Sequence, residues 1–300
     1  MTFSLITFYK RLQATLISDK VKRQVEVGII RIAIFAFLLH LSLIGLLELH
    51  WIQVEDATKL LSSPITAIYT PFSFILFYEV YLLIFYLPRS TSIYIAKQYE
   101  IISLIMIRRA MKDLSEIDLE TNWFRVQSNV QFTSDVLAAL ILFYLIFHFY
   151  QLNQKKTPSV RTQEKMSSVA RFIRLKVMLS LALLPVFIVL AIKNLTHWVI
   201  QVFFMAERVT NTIPDINKIF FEEFFTILIL VDVLILLFSF LNSDKFYKVM
   251  RNSGFIISTV LIKLSFATEG VLNSILVVAA VLFGVAILWI HNRFERIETN

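Results

Sequence analysis

The chain has 300 residues, of which 57% are hydrophobic and 17% charged, with a mean hydropathy of +0.72. Soluble domains carry about 45–50% apolar and about 25% charged residues, so this composition predicts an all-α, polytopic membrane protein with no large soluble domain. The formal net charge of +7 comes from bases that flank apolar runs, which fits orientation in a bilayer and argues against nucleic acid as their partner.

Residues 1–24 mix Lys10, Arg11, Lys20, Lys22 and Arg23 with Phe3, Ile6, Phe8, Leu12, Leu16 and Ile17. This spacing predicts an amphipathic helix on the cytoplasmic membrane surface, or a short helix packed on the rest of the protein; no signal-cleavage pattern follows it. Residues 25–151 then read as a first four-helix membrane bundle, with spans at 27–50, 66–87, 94–113 and 129–151. A basic cytoplasmic linker at 152–169 leads to a second four-helix bundle at 170–292, with spans at 170–195, 216–241, 250–267 and 270–291. A cytoplasmic tail at 293–300 completes about eight helices in two sets of four.

The flanking charges set the orientation. Between Gln151 and Lys176 stand Lys155, Lys156, Arg161, Lys165, Arg171 and Arg174 against the single acid Glu164, so this stretch is expected to be cytoplasmic. The N-terminal stretch is basic too, which requires an even number of crossings before the linker. Lys245, Lys248 and Arg251, and then Arg293 and Arg296, repeat the bias in the second set. The opposite loops hold Glu48, Glu55, Asp56, Glu207 and Asp215. Both termini come out cytoplasmic, in a multi-pass protein of the cell membrane. Arg108, Arg109 and Lys112 break the pattern, because they precede an external loop, Asp113 to Asp135, that is rich in acids. Two placements of segment 94–113 stay open, crossing the membrane or lying flat on its inner surface.

Ile101-Ile102-Ser103-Leu104-Ile105-Met106-Ile107-Arg108 aligns without gaps with Ile256-Ile257-Ser258-Thr259-Val260-Leu261-Ile262-Lys263, the base ending each stretch. The helix before each carries an acid, Glu79 or Asp232. A charge in hydrocarbon is costly and is therefore paired, functional or both, so Glu79–Arg108 and Asp232–Lys263 are the expected buried pairs of a duplicated unit. Counted from Pro88 and Gln98, Glu79 and Arg108 should both lie roughly 14 Å deep, near the midplane. Glu100, Glu222 and Glu223 are candidate vestibule carboxylates, and His40 and His148 candidate proton relays; each also reads as a boundary or packing residue.

Enzyme signatures are missing. Five glycines and no cysteine leave no phosphate loop, disulfide or thiolate site, and no His–acid spacing points to a metal, so neither cofactor nor catalysis is expected.

Tyr78-Glu79-Val80-Tyr81-Leu82-Leu83, Pro88-Arg89 and Tyr99-Glu100-Ile101-Ile102-Ser103-Leu104 together resemble the second-to-third-helix region of voltage-sensor domains. The resemblance covers about 35 residues in each half and implies the four-helix plan. The arginines that line the fourth helix of that family are missing from 136–150 and 271–290, so its gating charge is not implied. The leading expectation is permeation or transport of monovalent cations or protons past the buried pairs. The alternative is a membrane-embedded sensor or scaffold subunit whose pairs are structural; assembly with a second copy or a partner subunit stays open under both.

Overall fold

The computed structural model describes residues 18–49, 64–114, 123–154, 163–204, 216–241, 245–266, 268 and 270–299. Among them are eight α-helices and no strand: α1 (Asp19–Glu48), α2 (Tyr69–Tyr86), α3 (Thr91–Asp113), α4 (Gln127–Gln154), α5 (Gln163–Phe204), α6 (Ile216–Phe240), α7 (Phe246–Ser265) and α8 (Val271–Thr299). Short 3-10 turns at Pro64–Ile68 and Trp123–Arg125 lead into α2 and α4. The expected surface helix at 1–24 falls largely outside the described residues, as does most of the linker.

Local chemistry sets several boundaries. Ser18 caps α1, its hydroxyl accepting from the Val21 N–H at 3.3 Å, and Asp19 places a negative charge in the first turn. Pro88, which has no N–H to continue a helix, closes α2. The α7–α8 turn needs Gly270, whose φ of +71° lies in the left-handed region. There the Asn273 side-chain amide donates to the Ser265 carbonyl at 2.6 Å, satisfying a terminal acceptor of α7.

Interhelical contacts fix the direction of every helix. Lys22 at the start of α1 donates to Tyr86 at the end of α2, and His40 further along α1 meets Thr70. Arg109 late in α3 pairs with Asp135 early in α4, and Tyr150 late in α4 donates to Glu100 of α3. Ser180 and Lys176 of α5 donate to carbonyls at Ile84 and Arg89. Ser239 late in α6 accepts from Asn252 early in α7, and Ser258 donates to the Ala280 carbonyl of α8. The ends of α2, α4, α6 and α8 therefore share one face with the starts of α1, α3, α5 and α7, here called the linker face.

Neighbours in sequence pack antiparallel within each set of four, but the sets share one core. α4 runs parallel to α8, joined at one end by Asp135 and Ser274 and at the other by Asn292 and the Leu152 carbonyl. α3 meets α7, and α2 meets α5. Tyr99, Phe149 and Phe255, from α3, α4 and α7, pack edge-on and tilted against one another in the shared core, with ring centroids 5.3 and 5.7 Å apart. α3 is thus packed among α2, α4 and α7 and does not lie flat across the ends of its neighbours.

Outward faces are apolar: Phe35 and Leu38 on α1, Leu140 and Phe143 on α4, Val189 on α5 and Leu230 on α6 are all more than half exposed. Among the described residues, five helical stretches are long and apolar enough to cross a bilayer: Asp19–Glu48, Gln127–Gln154, Ala170–Lys193, Glu223–Phe240 and Val271–Glu298. Thr70–Tyr86 is apolar but shorter. α3 and α7 are not among these stretches: Lys97, Glu100, Arg108 and Arg109 interrupt the first, and Lys248, Arg251 and Lys263 the second.

Candidate functional site

α3 organises the charged interior. At 3.6 residues per turn, Tyr94 and Gln98 fall on one face, while Arg108 and Arg109, adjacent in sequence, point about 100° apart and address different helices. Arg108 turns to α2, where Nη1 lies 3.0 Å from Glu79 Oε2 and donates to the Phe72 carbonyl at 3.3 Å. Glu79 is 2% exposed and Arg108 9%. Arg109 turns to α4 and α8. It forms a two-pronged pair with Asp135, and its guanidinium also donates to Asn273 Oδ1 at 2.7 Å and Ser274 Oγ at 2.9 Å. The fork geometry of arginine makes this three-helix junction possible.

The second expected pair is more crowded than the first. Lys263 Nζ of α7 lies 2.7 Å from Asp232 Oδ2 of α6, with both residues buried. The Tyr94 hydroxyl donates to Asp232 Oδ1 at 2.9 Å, and the Gln98 amide to Oδ2 at 3.5 Å. A helix of the first set therefore completes the acid site of the second. Lys176 of α5, 1% exposed, stands on the other side of Tyr94. Its Nζ lies 5.8 Å from the Tyr94 ring centre and donates to the Arg89 carbonyl at 2.8 Å. One carboxylate is thus shared among an ammonium group, a phenol and an amide, with a second buried lysine against the phenol ring.

No family model, curated protein or solved structure matches the chain.

The secondary candidates are dispersed. Glu100 is paired with Lys97 at 2.7 Å and accepts from Tyr150, at the linker face. Glu223 pairs with Lys193 at 2.7 Å across an open cleft between α5 and α6, of about 490 Å³, that Leu190, Thr226 and Ile227 also line. The side chain of Glu222 lies outside the described residues. His40 Nδ1 meets Thr70 Oγ1 at 2.5 Å, tying α1 to α2. His148 is half-buried on α4. Neither histidine reaches a buried pair. Among the described residues no group of acids and histidines has the arrangement of a metal site.

The expected start of segment three needs correction. α3 begins at Thr91 rather than 94, so Arg108 lies about 25 Å from its start and close to its far end. Lys263 occupies the same late position in α7. The bases are rooted near the face opposite the linker and reach inward along the bundle, as long basic side chains do. Arg108 and Arg109, exceptions to the charge rule, are each matched to a buried acid. Sequence reasoning missed the Asp135 junction because it grouped Asp135 with the acids of the preceding loop. A carboxylate leading directly into Val136–Tyr150 was the available signal.

Proposed function

We propose that this is a multi-pass protein of the cell membrane, its linker face cytoplasmic, that moves monovalent cations or protons past buried acid–base junctions. The observation that carries the reading is the Asp232 site. A structural pair needs one base for one acid, whereas this carboxylate, paired with Lys263 of α7, also takes two groups from α3, and a second buried lysine, Lys176 of α5, lies against the ring of one of them. Ionisable groups at such depth mark ion and proton pathways. Bases crowd the linker face, at Lys22, Arg89, Arg174, Lys248 and Arg293, which supports a cytoplasmic assignment.

The eight helices are read as a duplicated four-helix unit with parallel copies. Acid and base occupy the second and third helices of each set, and equivalent helices run side by side and parallel, α3 with α7 and α4 with α8. The voltage-sensor likeness bears on that plan alone.

Ion flux into proteoliposomes, measured for H⁺, Na⁺ and K⁺ with wild type and Asp232→Asn, tests the function. Altered flux in a variant that stays folded supports it. A second reading has its own support, since every junction ties different helices together: an embedded sensor or scaffold subunit, with or without a second copy. Absence of flux under any gradient, with Asp232→Asn simply melting earlier, would select that reading.

A further inference from the structure

The two buried pairs differ in one chemical respect. An arginine holds its proton throughout the pH range of proteins, whereas a lysine can release it when its surroundings favour the neutral amine. Glu79 faces Arg108, and Asp135 faces Arg109. Neither junction can pass a proton through its base. Among the described residues Asp232 instead faces Lys263 and Tyr94, which can exchange protons, and the amide of Gln98, while Lys176 lies against the Tyr94 ring.

Their positions extend from one face almost to the other. Lys176 touches the Arg89 carbonyl in the α2–α3 turn, at the linker face. Tyr94 lies on the first turn of α3, its ring beside Lys176 and its hydroxyl on Asp232. Lys263 is rooted two residues before the end of α7, about 3 Å of helix from the opposite face, and reaches back to the same carboxylate.

We infer that the transported species is the proton and that it travels along Lys263, Asp232, Tyr94 and Lys176, while Glu79–Arg108 and Asp135–Arg109 act as fixed braces. This inference rests on the transport reading above. In one direction, the Lys263 ammonium gives a proton to the Asp232 carboxylate, leaving an amine and a neutral carboxyl. With Asp232 neutral, the Tyr94 hydroxyl turns its proton toward Lys176 in its amine form and gives it up there as the Tyr94 oxygen takes the carboxyl proton, restoring the carboxylate. Lys176 releases a proton at the linker face and Lys263 takes one up at the other. The flexible lysine stems supply the motion that brings the Lys176 nitrogen to the phenol. No charge is left behind, and no other ion has to shed its hydration shell inside the protein.

The test uses the full chain in proteoliposomes, with an internal pH dye for protons and tracer uptake for Na⁺ and K⁺. Melting temperature is recorded on each preparation. Lys263→Arg keeps the charge and the pair but cannot give up its proton; it should lower proton flux by about a hundredfold or more at unchanged melting temperature, as expected when a group that must transfer the proton is lost. Tyr94→Phe, which keeps the ring, should lower it too, and supplies the test if Lys263→Arg fails to fold. Glu298→Gln, in an exposed pair with Lys245 outside the buried junctions, should conduct like wild type. Full proton flux in folded Lys263→Arg or Tyr94→Phe overturns the inference. Flux of Na⁺ or K⁺ without protons overturns it while leaving the transport reading standing. Absence of flux of any ion removes both.

Discussion

Replacing Asp135 by alanine should destabilise the folded protein by about 3–5 kcal/mol, the range observed when one partner of a buried ion pair is removed. The loss extends beyond one bond. Asp135 is fully buried on α4, takes two bonds from Arg109 of α3 and accepts from Ser274 of α8 at 2.5 Å. Alanine leaves the guanidinium without its counter-ion and the Ser274 hydroxyl without its acceptor. Unfolding in mixed micelles titrated with sodium dodecyl sulfate measures the difference. Ser274→Ala should cost only about 1 kcal/mol, the usual net worth of one hydrogen bond, because the ion pair survives. The chain itself points to a rescue: Leu264 stands in α7 where Arg109 stands in α3. Arg109→Leu added to Asp135→Ala should recover most of the lost stability, since apolar residues replace buried ion pairs at little net cost. A single-variant cost below about 1 kcal/mol would make Arg109–Asp135 equivalent to an exposed pair, contrary to its burial.

The helices and the two repeated pairs were legible because their signals are local. A run of apolar residues long enough to cross a bilayer declares itself, and an acid or base inside it stands out against its neighbours. Glu79, Arg108, Asp232 and Lys263 were visible in this way, and the structure brings them together two by two. Helix ends were less visible: Thr91 to Ile93 and residues 163–169 at the start of α5 are polar enough to read as connections, although their backbone is helical.

What remained hidden depends on which helix faces which. Tyr94 and Gln98 belong to the first set in sequence and complete the Asp232 site of the second, and no periodicity records that crossing. Asn273 and Ser274 look like ordinary residues at a helix start until Arg109 is seen to reach them. Lys176 sits among Arg171 and Arg174, so its charge is absorbed into the basic linker when only the sequence is read. Burial separates it: Lys176 is 1% exposed, whereas Arg171 and Arg174 are not buried.

A single added carbon at Gly284 should be among the most damaging small changes in the protein. In most helix interiors glycine to alanine is favourable by roughly 0.5–1 kcal/mol, because alanine has less backbone freedom to lose. At Gly284 of α8 a Cβ would lie 1.8 Å from the Tyr99 hydroxyl oxygen, 2.9 Å from Tyr99 Cζ and 3.0 Å from Ser258 Oγ. The tyrosine cannot swing aside: it is fully buried, packs edge-on to Phe149, and its hydroxyl is held 2.7 Å from Ser258. Gly284→Ala must therefore part α3 from α8 or break the Tyr99–Ser258 bond. Overpacking and a lost hydrogen bond together should cost about 2–4 kcal/mol. Gly28→Ala on α1, where nothing lies within 4 Å of the added carbon, should instead stabilise by about 0.5–1 kcal/mol. The opposite signs distinguish a contact from a propensity. Tyr99→Phe removes the oxygen responsible for the closest approach, so adding it to Gly284→Ala should return more than about 1 kcal/mol of coupling in a double-mutant cycle. Strict additivity of the two changes would mean that α3 and α8 do not meet at this crossing, and the shared core through α3, α7 and α8 would have to be redrawn.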